Sequence, residues 1–141
     1  MNLPLYTAAL AAFLMALQIV LMLTVGMYRA TTGKFVGLHD DRVLEQRVRR
    51  HGNLAENAAL MLAGIALLEL LSGQTLTVAL LAFGFAVARL AHAIGFSSLA
   101  GSHGENLSGG RKVFALFRIV GAFGTALTGF GAAIAILIAL T

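Results

Sequence analysis

Four long apolar stretches constrain this chain more than any other feature. They run from Leu3 to about Tyr28, from about Asn53 to Leu71, from about Leu76 to Phe96, and from about Val113 to Leu140. Each approaches the ~20 residues that a helix needs to cross the hydrocarbon of a bilayer. Barrel strands would be shorter and would alternate in polarity, which these stretches do not. The rest of the chain agrees: 59% of its residues are hydrophobic and 11% are charged. A soluble domain carries about 25% charge, so a water-facing coat is missing here. A soluble apolar bundle is the competing fold, and spans of this length weigh against it.

The expected architecture is an all-α integral membrane protein, a four-transmembrane-helix bundle in one domain over residues 1–141. Helices are expected near 3–29, 48–71, 75–97 and 111–140. Pro4 stands where a helix can start. The first apolar run is too long for a signal peptide and lacks its basic leader, so it reads as a retained helix. SGQT at Ser72–Thr75 marks a tight turn. Helices three and four carry many small residues, among them Gly121 and Gly124, which favour close helix contact in lipid.

Charge placement sets an orientation. Six of the ten basic residues lie between Arg29 and Arg50, and Arg111 and Lys112 lie before the last span. The positive-inside rule then puts loops one and three in the cytoplasm and both termini outside. No soluble module exists to present these bases to nucleic acid. With no cysteine, the chain has neither disulfides nor a thiol nucleophile of its own.

Ionisable groups within spans cost about 2.5–3.5 kcal/mol on insertion scales and call for a reason. Helix two opens with RRHGNLAEN at Arg49–Asn57, where Arg49, Asn53 and Glu56 share a face. Helix three offers Arg89, His92 and Phe96 on one face, and helix four offers Arg118. At a rise of about 1.5 Å per residue, Glu56, Arg89 and Arg118 are each expected about 10 Å inward of their helix ends, in one polar layer. Glu56 could simply pair with Arg89. Arg118 would then answer to an anionic ligand or to another subunit. His92 is expected as a hydrogen-bond donor in the pocket. His51 and His92 lack a second ligand at helical spacing, so no metal site is expected. His39 and His103 fall in loops, and Glu69 is expected at the outer interface. The acidic residues Asp40, Asp41 and Glu45 read as a solvated or helix-start cluster. GENLSGG at Gly104–Gly110 follows no strand, which weakens a nucleotide-loop reading. A transporter would need a polar path through the outer halves, where Gln18, Glu69 and a few hydroxyls are all that is offered.

The run R-x-H-x-N-x-x-E at Arg49–Glu56, followed by R-x-x-H at Arg89–His92 and RIVG at Arg118–Gly121, resembles the membrane-associated proteins in eicosanoid and glutathione metabolism, the MAPEG family, in its compact bacterial form. The resemblance implies a four-helix subunit assembling as a homotrimer, in a bacterial inner membrane, with glutathione bound between subunits near the cytoplasmic side. It assigns glutathione contacts to Arg49, Asn53 and Glu56, with Arg89 and His92 nearby and Arg29 reaching in from helix one. Arg118 inherits thiolate stabilisation and is the candidate catalytic residue. The implied activity is that of a glutathione transferase or peroxidase acting on lipophilic electrophiles or lipid hydroperoxides delivered through the bilayer. The alternative is a non-catalytic lipid- or glutathione-binding protein of the same fold. Phe96 stands where the family often has tyrosine, and Ile119 where some members have serine, so the binding residues match better than the catalytic step.

Overall fold

The computed structural model describes residues 3–100 and 107–141. His103 and residues 104–106 of the Gly104–Gly110 segment lie outside them. The described chain is all helical, with α1 at Leu5–Thr32, α2 at Arg42–Ser72, α3 at Leu76–Gly95 and α4 at Lys112–Ala139. A short 3-10 turn, Gly109–Arg111, leads into α4. All four helices are long and apolar enough to cross a membrane. Their outward faces carry large apolar side chains: Leu60 is 80% exposed, Phe83 70% and Phe123 76%. That surface suits lipid rather than water.

α3 and α4 form the closest helix pair, α1 lies along α2, and α2 joins the two halves. Phe85, Ile65, Val78 and Leu54 are fully buried at the centre. The α3–α4 contact is backbone against backbone. Gly121 lies on His92, and a methyl there would come within 2.5 Å of His92 Cβ. Gly95 lies on Arg118, and a methyl there would come within 2.5 Å of its backbone nitrogen. Gly124 against Ala88, Gly84 against Thr128 and Gly131 against Leu81 continue the same antiparallel ladder. In lipid the gain from apolar burial is small, so close approach of this kind supplies the packing energy.

α2 begins at Arg42 rather than near 48. Asp41 caps it, accepting from the backbone nitrogens of Val43 and Leu44 at 3.0 Å each. The apolar pattern that marks the span starts later than the helix because the first two turns lie outside the apolar stretch. Asp41 also accepts from Lys34 Nζ at 2.5 Å and from the Tyr28 hydroxyl at 3.1 Å. Loop one is thereby tied to the end of α1 and the start of α2. The Lys34 ammonium, with the Leu44 amide and the Tyr28 hydroxyl, holds the Asp41 carboxyl down at about 2.

Glu69 stands one turn from the end of α2, with its side chain turned onto α1. It is 2% exposed and reaches the first turn of α1, accepting from Tyr6 N at 3.0 Å, Thr7 N at 2.8 Å and Thr7 Oγ1 at 2.6 Å. Pro4, the residue before α1, offers no side-chain cap. The exposed first-turn donors of a helix need partners, and a carboxylate also suits the positive end of the helix dipole. Glu69 supplies that cap from a neighbouring helix.

Three outcomes follow from this packing. Gly121→Ala should lower stability by about 1–3 kcal/mol through overpacking, whereas Gly26→Ala, with nothing within 4 Å of the added methyl, should cost nothing. Unfolding in mixed micelles by added sodium dodecyl sulfate separates the two, and equal losses would contradict the α3–α4 register. In the same assay, Glu69→Gln should cost about 1–3 kcal/mol, since a single amide oxygen replaces two carboxylate oxygens. The Asp41 carboxyl is depressed in the folded state, so its stabilisation is present above the ordinary carboxylate value near 3.8 and is lost as pH falls through it toward about 2. An acid titration of loop-one NMR signals should show that transition in wild type and not in Asp41→Asn.

Candidate functional site

With α2 starting at Arg42, one stripe of that helix faces α3 and loop three. Glu45, Gln46, Arg49, Gly52, Asn53 and Glu56 recur at the helical period and form the wall of a cleft of about 510 Å³. Phe96, Ser98 and Leu99 from the end of α3 and the start of loop three, with Arg118 from α4, form the opposite wall. Leu38 of loop one closes one side. This volume lies within the range of about 300–1,000 Å³ usual for small-molecule sites.

Gln46 Nε2 donates to the Phe96 carbonyl at 2.8 Å, and Asn53 Oδ1 accepts from Arg89 Nη2 at 2.8 Å. Those two bonds fix the antiparallel register of α2 against α3. Four sequence-assigned residues, Arg49, Asn53, Glu56 and Arg118, therefore meet around one cleft. The Arg118 guanidinium lies over the Phe96 ring, 5.5 Å from its centroid, and donates to the Ala100 carbonyl.

The expected single layer does not form. Arg118 is level with Gly95, whereas Arg89 is level with Thr125, to whose hydroxyl it donates at 3.1 Å. Arg89 thus lies six residues, about 9 Å, deeper along α3. Counting inward from the helix ends misplaced it, because the first turns of α4 extend past the end of α3. Among the described residues Glu56 and Arg89 form no ion pair, and the one salt bridge is Lys34–Asp41. Arg89 meets two neutral oxygens instead.

His92 is not a donor in the cleft. It is 6% exposed, sealed by the close approach of Gly121, and its ring stacks on Phe96 with centroids 4.7 Å apart. Arg29 also turns away, donating to the carbonyls of Lys34 at 2.7 Å and Gly37 at 3.0 Å, where it shapes loop one. The helix-two bases divide by face: Arg47 and Arg50 bond to Thr24 of α1, and Arg49 lines the cleft. His51 pairs with Gln18 of α1 at 2.8 Å. From the sequence, Glu45 reads as part of a solvated or helix-start cluster, not of the site, and Gln46 is not singled out. Their signal was helical spacing to Arg49 and Asn53, hidden because α2 was expected to begin after them.

A second, mostly apolar groove of about 520 Å³ separates α2 from α4. It is lined by Glu56 and Thr125 at one end and by Met61, Gly64, Phe130 and Ile136 further along. Glu56 belongs to both concavities, so the polar cleft and the apolar groove meet there.

Four apolar helices with a polar cleft toward one end define a small helical membrane protein. The sequence matches the model of the MAPEG family over residues 7–140, nearly its whole length, and the chain belongs to that family. No curated protein and no solved structure matches it.

The absence of native cysteine allows the cleft to be mapped by single introduced thiols. Arg49→Cys and Glu56→Cys should react quickly with a water-soluble thiol reagent. Arg89→Cys and His92→Cys should react at least about tenfold more slowly, as buried thiols do. Equal rates at positions 49 and 89 would contradict the geometry.

Proposed function

We propose that the chain is a glutathione-dependent membrane enzyme of the transferase or peroxidase type, acting on lipophilic electrophiles or lipid hydroperoxides. The observation that carries this reading is the polar set of the cleft, in which two arginines, Arg49 and Arg118, stand with two amides, Gln46 and Asn53, and two carboxylates, Glu45 and Glu56. Glutathione presents two carboxylates, one ammonium group, two peptide groups and a thiol. Arg49 and Arg118 suit its anionic ends, because guanidinium pairs with carboxylate in a planar, two-bonded geometry. Glu56 suits the ammonium. MAPEG members include glutathione-dependent transferases and peroxidases, which accords with this assignment.

Arg118 would act on the thiol. A nearby guanidinium lowers a thiol pKa and raises the thiolate fraction near neutral pH. The proton leaves to water at the cleft mouth. The thiolate pair then forms a carbon–sulfur bond as the electrophile's leaving group departs with its own pair. With a lipid hydroperoxide, two glutathiones are consumed and one disulfide, one alcohol and one water are formed. The groove that meets the cleft at Glu56 gives an apolar co-substrate a route from the bilayer. Assembly as a homotrimer, with loops one and three cytoplasmic, belongs to the same proposal.

Isothermal titration of the detergent-solubilised protein with glutathione, followed by ultraviolet detection of bound thiolate, tests ligand and mechanism together. Wild type should bind saturably and turn over a generic electrophile. Arg118→Ala should lower the rate by about 10²-fold, the scale of losing one electrostatic stabiliser, with a smaller change in Kd. Binding without turnover across a broad panel of electrophiles and hydroperoxides would identify a non-catalytic binding protein. Absence of glutathione binding would overturn the proposal.

A further inference from the structure

Arg89 lies behind the cleft wall, 2% exposed, yet it ends on a wall residue. Its Nη2 donates to Asn53 Oδ1 at 2.8 Å and its Nη1 to Thr125 Oγ1 at 3.1 Å. The Thr125 hydroxyl spends its own proton on the Gly121 carbonyl at 2.8 Å. Its oxygen is therefore an acceptor toward Arg89. Asn53 is held from a second side, since its backbone carbonyl accepts from Asn57 Nδ2 at 2.8 Å.

An asparagine side chain can present either an acceptor oxygen or a two-hydrogen donor. A guanidinium has donors and no acceptor, so it can be satisfied by Asn53 Oδ1 and never by Nδ2. This fixes the amide orientation on chemical grounds, independent of how oxygen and nitrogen are placed. With Oδ1 turned inward to Arg89, Nδ2 is the group that Asn53 shows the cleft.

We infer that Arg89 is a positioning residue that does not touch the ligand: it sets the flip of Asn53, so that the cleft meets a ligand with donors at Arg49, Asn53 and Arg118 and with Glu56 as a carboxylate acceptor. The inference rests on the glutathione-cleft reading above and sharpens it. The ligand group opposite Asn53 is an acceptor, a carboxylate or a peptide carbonyl, and not a peptide N–H. The resemblance in sequence sets Arg89 near the glutathione contacts; the geometry puts it behind Asn53, which it holds. Among the described residues the buried guanidinium has no carboxylate partner, and its Nε has no hydrogen-bond partner. Orientation of Asn53 accounts for keeping such a group inside a span.

The test is a double-mutant cycle on the full chain in detergent, with glutathione binding read by calorimetry. Arg89→Lys keeps the charge but loses the two-armed fork, and should weaken binding about tenfold, the scale of one charge-assisted hydrogen bond. In an Asn53→Ala background the same substitution should have no further effect. An Arg89→Lys penalty that persists in that background would mean direct ligand contact and would overturn the inference. Thr125→Val removes the second anchor and leaves both Arg89 and Asn53 in place. It provides the same cycle, with a smaller penalty, where Arg89→Lys does not fold. A ligand-free readout separates this inference from the reading it rests on. In chain labelled with 15N-asparagine, the side-chain amide signal of Asn53, identified by its loss in Asn53→Ala, should shift in Arg89→Lys or Thr125→Val. An unmoved signal would overturn the positioning role. A shifted signal in a chain that fails to bind glutathione would keep the Arg89–Asn53 coupling and overturn the ligand.

Discussion

Backbone contact between α3 and α4 is the constraint on which the rest of the structure depends. Gly95 and Gly121 let the two helices meet without intervening side chains, at Arg118 and at His92. In a bilayer, helix association gains little from apolar burial, and contact of this closeness is what dispersion forces require. The register so fixed has direct consequences. It stacks Arg118 over Phe96 at the cleft wall, lays Gly121 against His92, and delivers Thr125 to Arg89. A slip of one turn would separate each of these pairs by about 5.4 Å.

The hydroxyls of Thr24, Thr125 and Thr128 and the Asn57 amide bond within their own helices, whereas Glu69, Arg89 and Gln18 bond across helices. Glu69 of α2 caps α1, Arg89 of α3 bonds α2 and α4 at once, and Gln18 of α1 meets His51 of α2. Few waters compete at such depth, so each of these bonds also specifies which helices are neighbours. The two ends of the bundle are tied differently. At the Glu69 end the bond serves the fold. At the cleft end, Gln46 and Arg89 hold α2 against α3 in a way that turns Arg49, Asn53 and Glu56 toward the cleft. The packing of the bundle and the shape of the cleft therefore depend on the same α2–α3 register.

What was legible in the sequence was periodic or categorical. Span length and apolar content identified four membrane helices, and helical spacing put Arg49, Asn53 and Glu56 on one face. The R-x-H-x-N-x-x-E run pointed to the family that the whole-chain match establishes. These properties are local, since they depend on residues within a few turns of one another. The start of α2 was missed because its first turns are polar, and their cap lies in Asp41, one of several acidic residues with no local mark to distinguish it.

Tertiary structure decided depth and direction. Arg89 and Arg118 look equivalent when counted from helix ends, yet offset packing sets them about 9 Å apart along the axis, one behind the cleft and one on its wall. Glu69 shows its role as a cap only once α1 is laid beside it. Arg29, Arg47, Arg49 and Arg50 are one basic run in sequence and point to loop one, α1 and the cleft in space. Sequence alone thus determined that the chain spans a membrane in four helices and that one polar face opens helix two. Which polar groups that face meets, and which of them stand exposed to a ligand, depended on how far each helix slides past its neighbour. That displacement is set by close contact of glycines far apart in the chain, and no local pattern records it.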